Sequence, residues 1–349
     1  MRYSKRGQVN TMDDKESKES GRITISDVAE ALNISKTTVS RAISGKGRIG
    51  VETRKKVLDY IETHNYKPNP LAKGLAQSKT YNIGWVMPGD SEVTDLPFFQ
   101  RCIIGISEAV AYQDYDILLI MVYEDDMSQL QRVVENHKID GLILGRTLIR
   151  DDRIKYLKQT DLPFVAIGST EEPGVAQIDN DHIAACRELT SILIMKGMKK
   201  FALIGGNSNH VVNRTRREGF EQGVAGAGLM MEDMKVYMDC VDRLYVEAAV
   251  EDSMRHMVDC IVCMDDGICN WVLDKLRKEG ISVPEQIKVV SFYNSSLLEN
   301  NRPTITSLQY DPKELGKTAG ETLFRMIEGE EIADRILLGY EVTLKRSTQ

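Results

Sequence analysis

The sequence predicts a two-part α/β protein: a small basic helical head followed by a long body of parallel β-sheet with helices on both faces. Three observations carry this. From Tyr81 onward, strand-length apolar runs alternate with helix-length amphipathic segments, the pattern of doubly wound sheets. Near the N-terminus, Thr24–Asn33 and Ser35–Gly45 are two short amphipathic segments spaced as a helix-turn-helix. Charge is also divided. Residues 22–80 hold eleven Lys/Arg against five Asp/Glu, a net of +6; with residues 1–21 at +1, the remainder carries −14 of an overall −7. A basic segment on an acidic body points to a nucleic-acid-binding head joined to a soluble partner domain.

Residues 1–21 mix charges with small polar residues and are expected to form a disordered leader. They have no apolar core, so no signal peptide is expected. The best apolar run, "YDILLIMV" at Tyr115–Val122, is of strand length, well short of the roughly 20 residues of a membrane helix. Six scattered cysteines (Cys102, Cys186, Cys240, Cys260, Cys263, Cys269) fit reduced thiols and a cytoplasmic location. Cys260 and Cys263 form a C-x-x-C, but it sits in an apolar strand pattern with no second ligand pair nearby. Neither it nor the five histidines has metal-site spacing, and no metal or cofactor is expected.

In the head (residues 22–66), Thr24 and Asp27 resemble a capping box. Ile25, Val28, Ala29 and Leu32 then share one helical face. Asn33 suits the left-handed turn before Ser35, an N-cap for the second helix. On that helix Lys36, Thr37, Ser40 and Arg41 share a polar sector, Val39, Ala42 and Ile43 lie opposite, and Gly45 follows the end. The third helix, "VETRKKVLDYIETHN", offers Val57, Tyr60 and Ile61 as its inner stripe. A hinge and linker (67–80) follows, in which Asn69 can cap, Pro70 suits the first helical position and Leu71, Ala72 and Leu75 make a short apolar face, basic through Lys73. So short a segment is expected to be helical only when packed against a partner copy and DNA.

The body (81–349) offers "NIGWVMP", "YDILLIM", "DGLILG", "PFVAIG", "KFALIGG", "CIVCM" and "IKVVSF" as strands. That is too many βα units for one comfortable sheet, so two lobes are expected, about 81–179 plus 310–328 and about 180–309 plus 329–349. Ligands of such folds sit at the carboxyl ends of strands. Gly205–Gly206 opens a loop but is no dinucleotide fingerprint. Residues at strand ends or in the loops after them supply the candidates: Phe98, Phe99, Arg146, Asp179, Arg216, Asp265, Tyr293 and Asn294. Carboxylates, amides, arginine donors and aromatic faces suit a sugar's hydroxyls and ring. One of Phe98 and Phe99 is expected in the core, Trp271 in the core or on a dimer surface, and Arg214 and Arg217 on the surface or behind the site.

The run from about Ile23 to Leu75, with "TVSRAISG" and "NYKPNPLAKGL", resembles the head and hinge of the lactose/galactose-repressor family of bacterial transcription regulators. The resemblance implies that the second helix enters the major groove, with Lys36, Thr37 and Arg41 reading bases. Thr24, Ser35, Thr38, Ser40 and Arg54 would contact phosphates. Asn69, Leu71, Ala72, Lys73 and Leu75 would form the hinge, with Leu75 wedged into the minor groove. Asn33 stands where the family usually has glycine, and Pro70 and Gly74 alter the hinge. The body resembles the periplasmic sugar-binding-protein fold. Within the family, "GWVMPGDSEVTDLPFF", "QIDNDHIAA", "NRTRREGF" and "SFYNSSLLENNRPTITSL" are similar to the maltose-type regulators. The match puts Asp179, Arg216 and Asp265 at or beside ligand contacts. Tyr293 stands where many relatives carry Asp or Asn, and either stacks on a larger sugar or blocks one.

The resemblance implies a homodimer on a pseudo-palindromic double-stranded operator, its affinity set by a small sugar, with maltose or an α-glucoside favoured. A catabolite-control-type regulator with a phosphoprotein corepressor is the alternative, although the −14 body offers no obvious basic patch for it. A transporter's solute-binding protein is disfavoured by the basic head. No nucleophile–base constellation indicates an enzyme. The C-terminal "LGYEVTLKRSTQ" has no heptad pattern, so no tetramer-forming tail is expected.

Overall fold

The computed structural model describes residues 23–45, 47–66, 74, 79–89, 97–123 and 126–349. The expected leader lies outside the described residues, as do the hinge positions Asn69, Leu71, Ala72, Lys73 and Leu75. The chain divides into two units, residues 1–80 and 81–349.

The first unit contains α1 (Ile25–Ala31), α2 (Lys36–Ser44) and α3 (Val51–Thr63). Thr24 Oγ1 accepts from the Asp27 N–H at 3.4 Å, and the Asp27 carboxylate accepts from the Thr24 N–H at 2.7 Å, a capping box with Asp as its acid. Asn33 turns the chain at φ 51°, and Gly45 ends α2 at φ 70°. Ser35 Oγ accepts from the Thr38 N–H at 3.1 Å. Val28, Ala29, Val39, Ala42, Val57 and Tyr66 form the small core, with Tyr60 and Ile61 packed against it. Helical spacing therefore leaves one face of α2 to solvent.

In the second unit the chain runs β1 (Asn82–Pro88), α4 (Pro97–Ala111), β2 (Asp116–Val122), α5 (Ser128–Glu135), β3 (Gly141–Leu144), α6 (Asp152–Leu157), β4 (Phe164–Ile167) and β5 (Ala176–Asn180). It then enters the second lobe: α7 (His182–Met195), β6 (Phe201–Ile204), α8 (Val211–Gly226), β7 (Lys235–Tyr237), α9 (Arg243–Arg255), β8 (Cys260–Cys263), α10 (Asp266–Lys278), β9 (Lys288–Ser291), α11 (Ser296–Glu299) and β10 (Thr306–Gln309). It returns for α12 (Pro312–Ile327) and β11 (Arg335–Leu338), and crosses again to β12 (Glu341–Thr343).

Two six-stranded sheets result, ordered β11-β5-β4-β3-β1-β2 and β12-β10-β9-β8-β6-β7. The first is parallel throughout; in the second, β12 is antiparallel to β10. Alternate strand residues face opposite layers, as the period of two requires. Ile83 and Trp85 pack under α4 and α12 with Ile106 and Leu323, whereas Val86 and Ile120 pack on the other face with Leu130 and Ile154. The crossing of α4 and α12 is close enough to need glycine: a Cβ on Gly105 would lie 1.9 Å from the Lys313 carbonyl oxygen.

One expectation needs correction. Residues 329–349 do not all belong to the second lobe, because β11 pairs in parallel with β5 (Arg335 beside Gln177) and completes the first sheet. The chain therefore crosses between lobes three times, at 180–182, 309–312 and 338–341. The C-x-x-C is split by the same period of two: Cys260 packs in one layer and Cys263 in the other. Burial pushes both thiols up.

Candidate functional site

On the head, Lys36, Thr37, Ser40 and Arg41 are all exposed along α2. The Arg41 stem lies beside Gly47, where a Cβ would be 3.3 Å from its Cδ. Arg54, exposed on α3, brings its guanidinium over the C-terminal end of α2, and a Cβ on Gly45 would lie 3.0 Å from its Nη2. A cation there complements the helix dipole. Three hydroxyls expected on phosphates have local partners. Ser35 Oγ and Thr38 Oγ1 are 2.9 Å apart, and Thr24 Oγ1 donates to Asp27 at 2.7 Å.

In the body, a cleft of about 580 Å³ lies between the lobes at the carboxyl ends of both sheets, lined by Phe98, Phe99, Arg146, Asp179, Arg216, Asp265 and Tyr293. These are seven of the eight residues expected there. The exception is Asn294, whose side chain turns away and donates to Glu299 at 2.5 Å.

Asp179, near the end of β5, is tied down on several sides. It accepts from Ser169 Oγ at 2.7 Å and from the Asn180 N–H at 2.8 Å, with His182 Nε2 at 3.4 Å. Burial pushes the Asp179 carboxyl up, but His182, Ser169 and the Asn180 amide outweigh it and hold it below its ordinary range. The same burial lowers His182, so the imidazole stays neutral at physiological pH. Its Nδ1 lies 3.2 Å from the Tyr310 hydroxyl.

Arg216 projects from α8 and is only 7% exposed. Its Nη1 donates to the Met264 carbonyl at 2.6 Å, while Nε has no hydrogen-bond partner among the described residues. Its guanidinium carbon lies 5.8 Å from the centre of the Tyr293 ring. Tyr293 stacks on Tyr310 at 6.3 Å, and Phe98 meets it edge-on at 6.0 Å. Phe99 is the member of its pair that packs in the core.

Asp265 caps α10, accepting from the Ile268 N–H at 2.8 Å. Burial, reinforced by the neighbouring Asp266, pushes it up to about 6. Asp266, 1% exposed, accepts from Ser295 Oγ, and burial raises its carboxyl too. Arg146, after β3, faces the cleft while its carbonyl accepts from Arg153 Nη2 at 2.9 Å. Arg153 is itself held by Asp151 in a buried two-point pair.

The cleft contains residues that sequence reasoning passed over, Asp266, His182, Asn207 and Asn213, and one it placed elsewhere, Trp271. Adjacency to Asp265 and Asp179 marks the first two. Asn213 lies three residues before Arg216, on the same helical face, and donates to the Asn207 carbonyl at 2.9 Å. Trp271 packs on the second-lobe core, as expected, and in addition lines the cleft. Arg217 pairs with Glu221 on the surface, while Arg214 reaches Glu171 of the first lobe at 2.9 Å. Beside that pair, the Ile149 N–H donates to the Asn209 carbonyl at 2.8 Å, joining the lobes by backbone at the rim.

A helix-turn-helix ahead of two Rossmann-like lobes with a polar, aromatic-lined cleft defines a ligand-responsive DNA-binding regulator. Residues 24–69 match the model of "Bacterial regulatory proteins, lacI family", and residues 80–344 match "Periplasmic binding proteins and sugar binding domain of LacI family". The chain belongs to the LacI family of DNA-binding transcriptional regulators. It is 29% identical over 343 residues to the HTH-type transcriptional regulator MalR of Streptococcus pneumoniae, covering 93% of this chain and 99% of that one. To catabolite control protein A of Staphylococcus aureus it is 26% identical over 335 residues, covering 94% and 99%. Its fold is similar to the lac repressor dimer bound to operator and the anti-inducer ONPF, with a TM-score of 0.79, 19% identity and coverage of 94% and 99%.

Proposed function

We propose that the protein is a cytoplasmic, homodimeric repressor whose affinity for a pseudo-palindromic operator is set by a sugar in the cleft, with maltose or another α-glucoside favoured. No catalytic role is assigned to it. The observation that carries this is Arg216, a buried guanidinium with one nitrogen committed to a carbonyl and Nε without a hydrogen-bond partner among the described residues, set between carboxylates and a Tyr293–Phe98 aromatic corner. Hydroxyls in a ring plane suit such donors and acceptors, and the apolar ring face suits the aromatics. Both lobes contribute, so an occupant has a different affinity for each lobe arrangement and thereby shifts operator binding.

On the DNA side, Lys36, Thr37 and Arg41 are proposed to read bases, and Ser40 and Arg54 to meet phosphates alongside the capping hydroxyls of Thr24, Ser35 and Thr38. Leu75 and its hinge neighbours are proposed to enter the minor groove.

Similarity to a catabolite control protein keeps a second reading, a phosphoprotein corepressor on the body surface. Thermal unfolding of the whole protein against maltose, maltodextrins, monosaccharides and sugar phosphates separates the two. A sugar at a hundred times its Kd adds about 2.7 kcal/mol of stability. A shift with α-glucosides supports the first reading. No shift with any sugar, together with tighter operator binding on adding a phosphorylated carrier protein, supports the second.

A further inference from the structure

The cleft is not uniform along its length. Of its lining residues, Arg216, Asp179 and Asp266 are nearly fully buried, whereas Tyr123 and Val241 are about half-exposed and Trp271 is partly exposed. We take the polar group as the inner part and the latter three as the outer part. Trp271 sits on the same face of α10 as Gly267 and Ile268, which also line the cleft, because three- and four-residue steps align on a helix. Helical side chains lean toward the N-terminus, so the indole is directed back toward the capping Asp265. Part of it is packed against the second-lobe core, which fixes the ring.

Across the cleft, Tyr123 follows β2, and its ring lies against Gly89, where a Cβ would meet it at 2.6 Å. Tyr123 is 50% exposed and Val241 45%. Leaving such apolar surface wet costs about 25 cal/mol per Å², which an occupant recovers. A volume of about 580 Å³ lies mid-range for pockets that enclose drug-sized ligands, and a single pyranose is smaller than these.

Building on the saccharide reading above, we propose that Trp271, with Tyr123 and Val241, forms an outer subsite for the second sugar ring of a disaccharide or longer glucoside, the first ring lying at Arg216 and Tyr293. Trp271 is then a specificity-determining residue, setting preference for chain length without touching the inner ring.

The chain holds two tryptophans, Trp85 and Trp271. Trp85 is fully buried in the first-lobe core, so Trp271 is the indole a ligand reaches. The test titrates the full-length protein with glucose, maltose and maltotriose, following indole emission and, independently, heat of binding. Trp271→Ala and Trp271→Phe are compared after their melting temperatures confirm folding. Maltose should change the emission and glucose should not. Trp271→Ala should weaken maltose binding about tenfold, a loss of about 1.4 kcal/mol, and leave glucose binding within about twofold. Trp271→Phe should retain most of the maltose affinity and lose the emission change. If Trp271→Ala does not fold, an emission change in the parent that is equal for glucose and maltose overturns the subsite. Parallel losses for both sugars, or no loss for either, overturn it while leaving the saccharide reading intact. Binding of no saccharide at all overturns that reading, and the outer subsite with it.

Discussion

Arg216 and Asp265 are two cleft side chains that each make a claim that can be measured. A buried guanidinium costs stability unless its donors are used; Arg216 has Nη1 on the Met264 carbonyl and, among the described residues, no partner for Nε. Replacing it by Met removes both the cost and the donors. Arg216→Met should therefore fold with near-parental stability and bind sugar more weakly by roughly ten- to a hundredfold, the worth of one charged hydrogen bond of about 1.5–3 kcal/mol. Calorimetric titration with a disaccharide measures this, and unchanged affinity would remove Arg216 from the site. Asp265 is held at about 6 against an ordinary 3.8. The folded protein thus binds this proton more tightly than the unfolded chain, so its contribution to stability is present at low pH and lost as pH rises through about 6. Asn also caps helices. Asp265→Asn should melt a few degrees above the parent at about pH 7.5, with the gap shrinking toward about pH 4.5. Melting curves across that range test it; a gap independent of pH would mean that Asp265 titrates as in the unfolded chain.

At the scale of elements, the tightest constraint is where α4 crosses α12. Gly105→Ala would place a methyl 1.9 Å from the Lys313 carbonyl oxygen, so the two helices must part. A loss of roughly 1–3 kcal/mol or more is expected. At Gly226, which has nothing within 4 Å of an added Cβ, Ala should instead be neutral or stabilise by up to about 1 kcal/mol. Urea unfolding of both variants checks the contrast. Elements were legible in the sequence where burial is two-sided, since "GLIL", "FVAI", "FALI" and "CIVC" are buried at every position. β5, "AQIDN", is just as buried, but its polar residues serve the cleft and hide the pattern. β11 and β12 are edge strands with partly exposed residues, and their pairing is set by distant chain, which no local pattern encodes. The site follows the same division. Strand-end reasoning finds Asp179, Arg146 and Asp265, whereas Trp271 lies a full turn into α10, where the sequence pattern reads as core.

For the whole molecule, the question is how an occupant of the cleft alters the relation between lobes joined by three crossovers. Two of these meet behind the cleft. Asp179 and His182 flank the first, Tyr310 lies in the second, and the His182 imidazole is 3.2 Å from the Tyr310 hydroxyl. Tyr310 also stacks on Tyr293, which lines the cleft. Contact with the ligand-facing ring and the link between crossovers therefore reside in one side chain, the first in its ring and the second in its hydroxyl. Tyr310→Phe separates them, since it keeps the stack and deletes only the link. Ligand affinity should change by less than about threefold, because the lost hydrogen bond is neutral and worth about 1 kcal/mol or less. The ratio of operator Kd with and without saturating sugar is a coupling free energy, and it should fall several-fold. Operator titrations in both conditions give that ratio directly. A ratio equal to the parent's would mean that the crossovers move together without this hydrogen bond, and that coupling runs instead through the rim, where Arg214 meets Glu171 and the Ile149 amide meets the Asn209 carbonyl.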